Sequence, residues 1–320
     1  MTTRTKNNTL AEIAEFLKTL DRGAVTTHVG ADGDAIGASA ALVRLMHRLG
    51  AEAVFCHAEP VPAYLNWLLP DEAKRELPSG YDLLVADTSR ADRTGVPIPE
   101  SGARLNVDHH EDNPLYAEHN LVSPRAAATA EIVADLYAEL DVPIDRPAAE
   151  ALYVGLRTDT GGFTFRNISP RAHELVADLL RAGVVPAEVN ERINRRGRIE
   201  QLRIVGISLA NAVQYGEALI STVENSDYER TGATEVESKE SIDQLRTVAG
   251  VDVVAHLREV PGGTKGSLRS ETVDVGEIAR RFGGGGHKLA AGYTTQRRPE
   301  EAREELLGEL KGVLDLGGER

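Results

Sequence analysis

The sequence predicts an α/β protein whose N-terminal part is built on an open, parallel sheet. Three apolar runs typical of strands, at residues 24–28, 82–86 and 104–107, are each followed by a polar loop. After the first run come a helix of small residues at 33–50 and a further apolar run at 53–56, which together make a βαβ unit. Such a unit implies two parallel strands joined by a right-handed crossover. The length of 320 residues suffices for about two domains.

Composition limits the classes of function. The net charge of −14 disfavours sequence-independent binding of long nucleic acid, which needs a basic surface, but allows a short nucleotide held by metals. The single cysteine, Cys56, lies in an apolar run, which excludes an internal disulfide and favours a reducing compartment. No run approaches the roughly 20 apolar residues of a membrane helix, and no signal region is evident. We therefore expect a cytoplasmic protein with neither a membrane nor long duplex DNA as its partner.

Helix signals fill the spaces between the apolar runs. Thr9 and Glu12 form a capping box at the start of the first helix. Residues 126–140 carry apolar side chains at helical spacing, and the next helix is expected to begin at Arg146 with a proline in its first turn. That helix should end before Gly161, which places Asp159 near its C-terminus.

Acidic and imidazole side chains follow the three runs in the first part of the chain. They are His28, Asp32, Asp34, Asp87, Asp108, His109 and His110. In open α/β sheets ligands bind beyond the carboxyl ends of the strands, and clustered charges of this kind are costly without a cation. Carboxylate and imidazole ligands together suit manganese, iron or zinc better than calcium. This many ligands predicts two metals, an arrangement that drives in-line phosphoryl displacement.

Asp159 is a further candidate ligand, because a helix C-terminus disfavours a negative charge unless a cation lies beside it. These acids could instead have a purely structural role. The alternatives are a helix N-cap for the acids at 32 and 34 and a simple turn for Asp87. Other polar residues of the region are interpreted as having no ligand role. These are Asp112, Asn113 and His119 as solvated loop residues, and His47 and His57 as isolated histidines.

The second part of the chain predicts strands at 217–223, 251–257 and 265–270, then a helix at 273–282. Four glycines and a histidine follow, and glycines let backbone N–H groups approach an anion, with a following helix N-terminus adding to the attraction. An arginine in the last strand can bind phosphate oxygens with two parallel hydrogen bonds. A phosphate or nucleotide clamp is therefore predicted from Arg269, Gly284, Gly285, Gly286 and His287. The predicted domains are 9–185 and 206–316, connected by a helical linker at 186–205.

In combination, these motifs resemble those of the DHH phosphoesterase superfamily. The matching residues are His28, Asp32 and Asp34; Asp87 and Thr88; Asp108, His109 and His110; and Thr158, Asp159, Thr160 and Gly161. The stretch from Gly283 to Gly292 is similar to the signature of the DHHA1 domain. The resemblance spans about residues 9 to 315, in the family's order. Ala31 stands where many members have proline, a difference that should not affect the ligands.

The resemblance implies a fold and a set of ligands. The fold is a parallel five-stranded α/β domain linked to a smaller mixed-sheet domain, with the active site in the cleft between them. One metal is held by the residues matching His28, Asp32 and Asp87, and the other by those matching Asp34, Asp87, His109 and Asp159. His110 contacts the scissile phosphate beside Asp108, and manganese is the usual metal.

The expected function is two-metal hydrolysis of short nucleotides, since the chain resembles nanoRNase/pAp-phosphatases and cyclic-dinucleotide phosphodiesterases. The substrate could be a short oligonucleotide, pAp, or a linear or cyclic dinucleotide. A RecJ-like exonuclease and a non-catalytic nucleotide sensor are the alternatives. A pyrophosphatase is disfavoured because its second-domain signature is not found, and a dehydrogenase because no Gly-x-Gly-x-x-Gly follows the first strand. The sequence does not decide whether the chain forms a homodimer.

Overall fold

The computed structural model describes residues 6–194 and 198–316. They form two compact units, residues 6–194 and residues 198–316. Residues 195–197, part of the predicted linker, lie outside the described residues. The domain limits predicted from the sequence remain a prediction.

The first unit is built on five parallel strands in the order β2-β1-β3-β4-β5. This confirms the parallel five-stranded sheet. The last strand was not predicted, and His119, interpreted above as a loop residue, is its first residue and packs its ring on Phe16. The strands are β1 Arg22–Thr26, β2 Glu52–Phe55, β3 Asp82–Ala86, β4 Leu105–Asp108 and β5 His119–Val122.

Helices of this unit pack around the sheet, and α2 and α4 approach each other closely. A side chain at Gly37 in α2 would place its Cβ only 2.4 Å from the carbonyl oxygen of Ala151 in α4, so a glycine is needed there. Asp145 caps α4, with a proline in its first turn as predicted. The helices are α1 Leu10–Leu17, α2 Gly33–Arg48, α3 Thr129–Glu139, α4 Arg146–Asp159, α5 Pro170–Arg181 and α6 Pro186–Asn194.

The second unit contains a six-stranded mixed sheet in the order β10-β11-β9-β8-β7-β6. The β7–β8 pair is parallel and the other pairs are antiparallel, which confirms the mixed sheet. The strands are β6 Val213–Tyr215, β7 Ala218–Val223, β8 Val253–Val260, β9 Gly263–Ser270, β10 Gly285–His287 and β11 Ala290–Thr295. The helices are α7 Ile199–Ala210, α8 Asn225–Thr231, α9 Ser241–Leu245, α10 Val275–Arg281 and α11 Pro299–Leu310.

The glycine-rich stretch differs from the prediction. It leads into the edge strand β10 and a hairpin with β11, so the helix N-terminus expected after it is absent from this described region. Gly286 has a φ of 141°, and a Cβ there would lie 2.6 Å from the carbonyl oxygen of Ala290. The close approach of the two hairpin strands therefore explains this glycine.

Among the described residues, we find no helix with the length and apolar content needed to cross a membrane.

Candidate metal centre

The structure brings the predicted ligands of the first unit together at the carboxyl edge of its sheet. Their donor atoms form three groups, within each of which the atoms lie no more than 4.8 Å apart. The groups are His28, Asp32 and Asp87; Asp34, His109 and Asp159; and Asp87, His109 and His110. The first group contains the residues of one implied metal site, and the second contains those of the other except Asp87. The assignment of ions to them remains a proposal.

Asp87 belongs to two of the three groups and lies beside the third through His109. It follows β3 with a φ of 53°, a left-handed conformation that is uncommon outside glycine but that aspartate tolerates. Its carboxylate oxygens lie 3.6 Å from His28 Nε2, 3.7 Å from His109 Nε2 and 3.8 Å from His110 Nδ1. Burial opposes ionisation, but these imidazoles outweigh it and lower the pKa of the Asp87 carboxyl group. Asp87 is therefore ionised and central to the site.

Asp34 is almost fully buried near the start of α2. Its two carboxylate oxygens accept hydrogen bonds from the backbone N–H groups of Thr129, at 2.6 Å, and Ala130, at 3.0 Å. Burial, followed by the charges of Asp87 and Asp159, raises the pKa of Asp34 well above its usual value. The two hydrogen bonds of Asp34 therefore do not fully offset its burial and the negative charge of the neighbouring carboxylates.

Asp32 is both a helix N-cap and a candidate metal ligand. Its Oδ1 accepts hydrogen bonds from the N–H groups of Asp34 and Ala35, which makes it the N-cap of α2. Its carboxylate also belongs to the group that contains His28. Capping therefore fixes the orientation of a candidate ligand, and the two interpretations do not exclude each other.

Asp159 is the last residue of α4, where the helix dipole disfavours a negative charge. Its Oδ2 lies 3.4 Å from His109 Nε2. Burial is the largest cause that raises the pKa of Asp159 to about 6, and His109 only partly opposes it. A carboxyl group in such a position is poorly stabilised by the protein alone.

The first turn of α3 supports several candidate ligands, which the sequence analysis did not foresee. Besides its N–H bond to Asp34, Thr129 donates its hydroxyl to Asp87 Oδ1 at 2.9 Å. The carbonyl oxygen of Ala126 lies 3.4 Å from His109 Nδ1, an arrangement that directs Nε2 toward the carboxylates. No pattern in the sequence distinguishes Thr129, because its role depends on where α3 meets the ends of α2 and β3.

Asn167 reinforces the same turn. Its side-chain amide donates to the carbonyl oxygens of Ala127, at 2.9 Å, and Asp159, at 3.1 Å. The end of α4 is thereby tied to the residues that precede α3, which holds Asp159 next to the turn.

Asp108 does not belong to any of the three groups but orients the two histidines that follow it. Its Oδ1 accepts hydrogen bonds from the backbone N–H of His109, at 2.9 Å, and from Nδ1 of His110, at 2.7 Å. The hydrogen bond from His110 to Asp108 is the main cause that raises the pKa of His110 to about 9. His110 is therefore a cation at neutral pH, suited to contact a phosphate.

Asn113 was interpreted as a solvated loop residue, and that interpretation is wrong. Its Nδ2 donates to Asp108 Oδ2 at 2.6 Å and to the side-chain oxygen of Asn106 at 2.7 Å. Asn106 in turn donates to the carbonyl oxygen of Thr88 at 3.2 Å. A chain of amide hydrogen bonds thus connects the Asp108 region to the loop that carries Asp87.

His57 is also not an isolated histidine. It is 2% exposed, and its Nε2 lies 3.0 Å from the carbonyl oxygen of His28. Glu59 donates its N–H to His57 Nδ1 at 3.1 Å and accepts the N–H of Gly30 at 2.7 Å. Both residues therefore hold the loop between His28 and Asp32.

The donor set fits a pair of divalent cations. Four carboxylates, those of Asp32, Asp34, Asp87 and Asp159, meet three imidazoles within a small, partly buried volume. The raised pKa of Asp34 arises from burial and from neighbouring carboxylates, which is the imbalance that a cation would remove. Oxygen and imidazole donors together suit manganese, iron or zinc.

The predicted substrate-binding residues lie in the second unit. The strands β10, β11 and β9 are adjacent and antiparallel. His287 lies opposite Ala290, which in turn lies opposite Arg269. Because directly opposite residues point to the same side of a sheet, Arg269 and His287 share one face. His287 is exposed, whereas Arg269 is half-buried and donates to the carbonyl oxygen of Leu268 at 2.9 Å. Burial lowers the pKa of Arg269. Gly284, Gly285 and Gly286 belong to the hairpin described above.

Comparisons with known proteins agree with this architecture. A model of the DHH family, N-terminal domain, matches residues 23–156, and a model of the DHHA1 domain matches residues 216–315. The chain is 36% identical to the bifunctional oligoribonuclease and PAP phosphatase NrnA of Thermus thermophilus, over 96% of this chain and 94% of that protein. It is 24% identical to the protein of that name from Bacillus subtilis, over 94% of this chain and 97% of that protein.

The fold also resembles a solved structure. An exopolyphosphatase-related protein from Bacteroides fragilis superposes with a TM-score of 0.85 and 22% sequence identity, covering 95% of this chain and 96% of that one. This likeness supports the arrangement of the strands and helices. Taken with the matching domains and the 36% identical relative, it leads to one assignment. The chain belongs to the DHH family and is a phosphoester hydrolase with a DHH N-terminal domain followed by a DHHA1 domain.

Proposed function

We propose that the chain hydrolyses the phosphoester bonds of short nucleotides, among them di- to pentanucleotides and pAp, with two divalent ions. One observation carries the proposal: two groups of ligand-type side chains lie side by side, with Asp87 beside both. The names of the relatives, which are bifunctional oligoribonucleases and PAP phosphatases, support the substrate class. The net charge of −14 supports short substrates, because extended nucleic acid binds to basic surfaces.

The ions would be held by His28, Asp32 and Asp87 on one side, and by Asp34, Asp87, His109 and Asp159 on the other. When bound, divalent ions of this kind lower the pKa of water and neutralise charge on phosphoryl oxygens. Manganese is our first choice, because the donors are mixed oxygen and nitrogen atoms.

The chain's own groups orient the reacting phosphate. Cationic His110 donates a hydrogen bond to a phosphoryl oxygen and stabilises the charge that builds up there. Asp108 accepts from Nδ1 of His110, which leaves Nε2 as the nitrogen that can face the substrate. Asp108 therefore acts by positioning His110. In the second unit, Arg269 and His287 present cationic and polar groups on one face, and we propose that this face binds the rest of the nucleotide.

A substrate panel tests the proposal. The full chain, loaded with Mn²⁺, is assayed on a linear dinucleotide, pAp, cyclic di-AMP, inorganic pyrophosphate and a long single strand. We expect turnover of the dinucleotide and of pAp, and loss of both activities in Asp87→Asn. Equal rates on the long strand and the dinucleotide would contradict the size limit. Activity on pyrophosphate alone would overturn the substrate class.

Several sequence predictions stay proposals at this point. They are the domain limits 9–185 and 206–316 with the linker 186–205, and the cytoplasmic location. The buried, solitary Cys56 is consistent with the last of these.

A further inference from the structure

A loop near the candidate metal centre lines much of two open cavities. The loop covers residues 57–74, and its ends are joined by hydrogen bonds from His57 N to the Lys74 carbonyl, at 2.8 Å, and from Lys74 N to the Phe55 carbonyl, at 2.9 Å. Leu65 and Leu68 anchor it in the core with almost no exposure. Because both ends and the centre are fixed, the walls of these cavities are formed before any ligand binds.

The smaller cavity adjoins the candidate metal centre. Its volume is about 200 Å³, and its walls include Gly30 and Ala31, which lie between the candidate ligands His28 and Asp32. The larger cavity, of about 460 Å³, shares Pro60 and Val61 with the smaller one. The larger cavity thus lies along the same loop as the smaller one and has a volume that can hold a nucleoside.

The side chains that line the larger cavity indicate which chemical groups it can bind. Pro60, Val61, Leu69 and Ala73 supply apolar walls, and the side-chain amide of Asn66 offers both a donor and an acceptor. Flat, partly polar groups match such walls.

The charge of the lining excludes a phosphate as the occupant. Asp71 and Glu72 border the larger cavity and Glu59 the smaller, whereas Arg75 is the one guanidinium among the lining residues described. In the larger cavity two carboxylates outnumber one cation, and the carboxylate that borders the smaller cavity adds to the repulsion of an anion. The neutral base and ribose of a nucleotide meet no such opposition.

We propose that the larger cavity binds one of the two nucleosides of a diester substrate. This is the nucleoside that pAp lacks, and it lies across the scissile phosphate from the nucleoside that both substrates share. The proposal rests on the proposed function and adds a specificity to it. A dinucleotide has a nucleoside on each side of the bond that is cleaved, whereas pAp has a single nucleoside. The cavity therefore contributes to the hydrolysis of dinucleotides and not to that of pAp.

The test fills the cavity and compares two substrates in the same enzyme. Ala73→Phe places a ring in the larger cavity, and Ala63→Phe, on the exposed side of the same loop, is the matched control. We expect Ala73→Phe to raise KM and lower kcat/KM for a dinucleotide about tenfold or more while pAp stays within about twofold, as for a lost contact in a substrate pocket. Asn66→Ala, a smaller change, should act in the same direction.

A second readout needs neither metal nor turnover. Trp67 is the single tryptophan of the chain. It follows Asn66, which lines the larger cavity, and its ring packs against the Arg192 guanidinium, so a ligand that moves Asn66 can change the fluorescence of Trp67. Adenosine, added to the metal-free protein, should change this fluorescence in the wild type and in Ala63→Phe, but not in Ala73→Phe.

Three results would overturn the proposal: an equal loss on both substrates in Ala73→Phe, no loss on either, or a fluorescence signal that Ala73→Phe leaves intact. If the wild type hydrolyses neither the dinucleotide nor pAp, the proposed function is wrong, and the adenosine titration still decides whether the cavity binds a nucleoside.

Discussion

Thr129 provides the sharpest test of how the site is assembled. Thr129→Val keeps the size of the side chain and the backbone N–H that Asp34 accepts, but it removes the hydroxyl that donates to Asp87 at 2.9 Å. Thr129 is fully buried and Asp87 is 3% exposed, so water does not replace the lost donor. A hydrogen bond to a charged group contributes about 1.5–3 kcal/mol. The free energy of unfolding of the metal-free protein should fall by about that amount.

Thr129→Val should also weaken Mn²⁺ binding. Mutation of a residue that orients metal ligands typically lowers metal affinity or activity by about 10–100-fold. Urea unfolding measures the first effect, and calorimetric titration of Mn²⁺ into the metal-free protein measures the second. Thr129→Ser retains a hydroxyl and should recover most of both losses.

Thr26→Val is the matched control, since the buried hydroxyl of Thr26 has no hydrogen-bond partner among the described residues. Its replacement should leave stability and Mn²⁺ affinity unchanged or slightly raised. The reasoning is refuted if Thr129→Val matches the wild type in both measurements, or if Thr26→Val loses as much.

The other predictions concern the groups around Thr129. Asn113→Ala removes the donor to Asp108 and should lower kcat about 10–100-fold with little change in KM; steady-state kinetics on a dinucleotide checks this, and an unchanged kcat would contradict the positioning role. Asp108→Asn removes the main cause of the raised pKa of His110, about 9. The alkaline limb of the pH profile of kcat/KM should then move to lower pH, and a limb that stays in place would assign it to another group. Asp159, with its pKa raised to about 6, binds a proton in the folded metal-free protein at pH values where the unfolded chain has lost it. Its contribution to stability is therefore largest below the ordinary carboxyl pKa and disappears as pH rises through about 6. Urea unfolding of the metal-free wild type and Asp159→Asn across this range should show a steeper pH dependence in the wild type, because Asp34 still titrates in the variant.

Much of the site could be predicted because each candidate ligand follows a strand or ends a helix. Asp87 follows β3 and Asp108 ends β4, and parallel strands bring their carboxyl ends to one edge whatever the details of packing. Asp159 was identified by the same logic, from a charge at a helix end where the dipole disfavours it.

The supporting residues could not be predicted in this way. Asn113 resembles any loop asparagine until the fold places Asp108 at 2.6 Å from it. Thr129 is one of several small residues around the start of α3. The helix expected after the glycine stretch is a strand instead, for a related reason. Glycines serve both anion binding and close strand approach, and the choice depends on the strand β11 that pairs with them.

The two hydrogen bonds between Asp34 and the N-terminus of α3 have a consequence for how the proposed ions would bind. Two backbone N–H groups already hold the carboxylate at 2.6 and 3.0 Å, so this part of the coordination shell forms during folding rather than on loading. Chelation should therefore yield a folded apoenzyme, with near-native circular dichroism, whose activity returns on addition of Mn²⁺ without a refolding step.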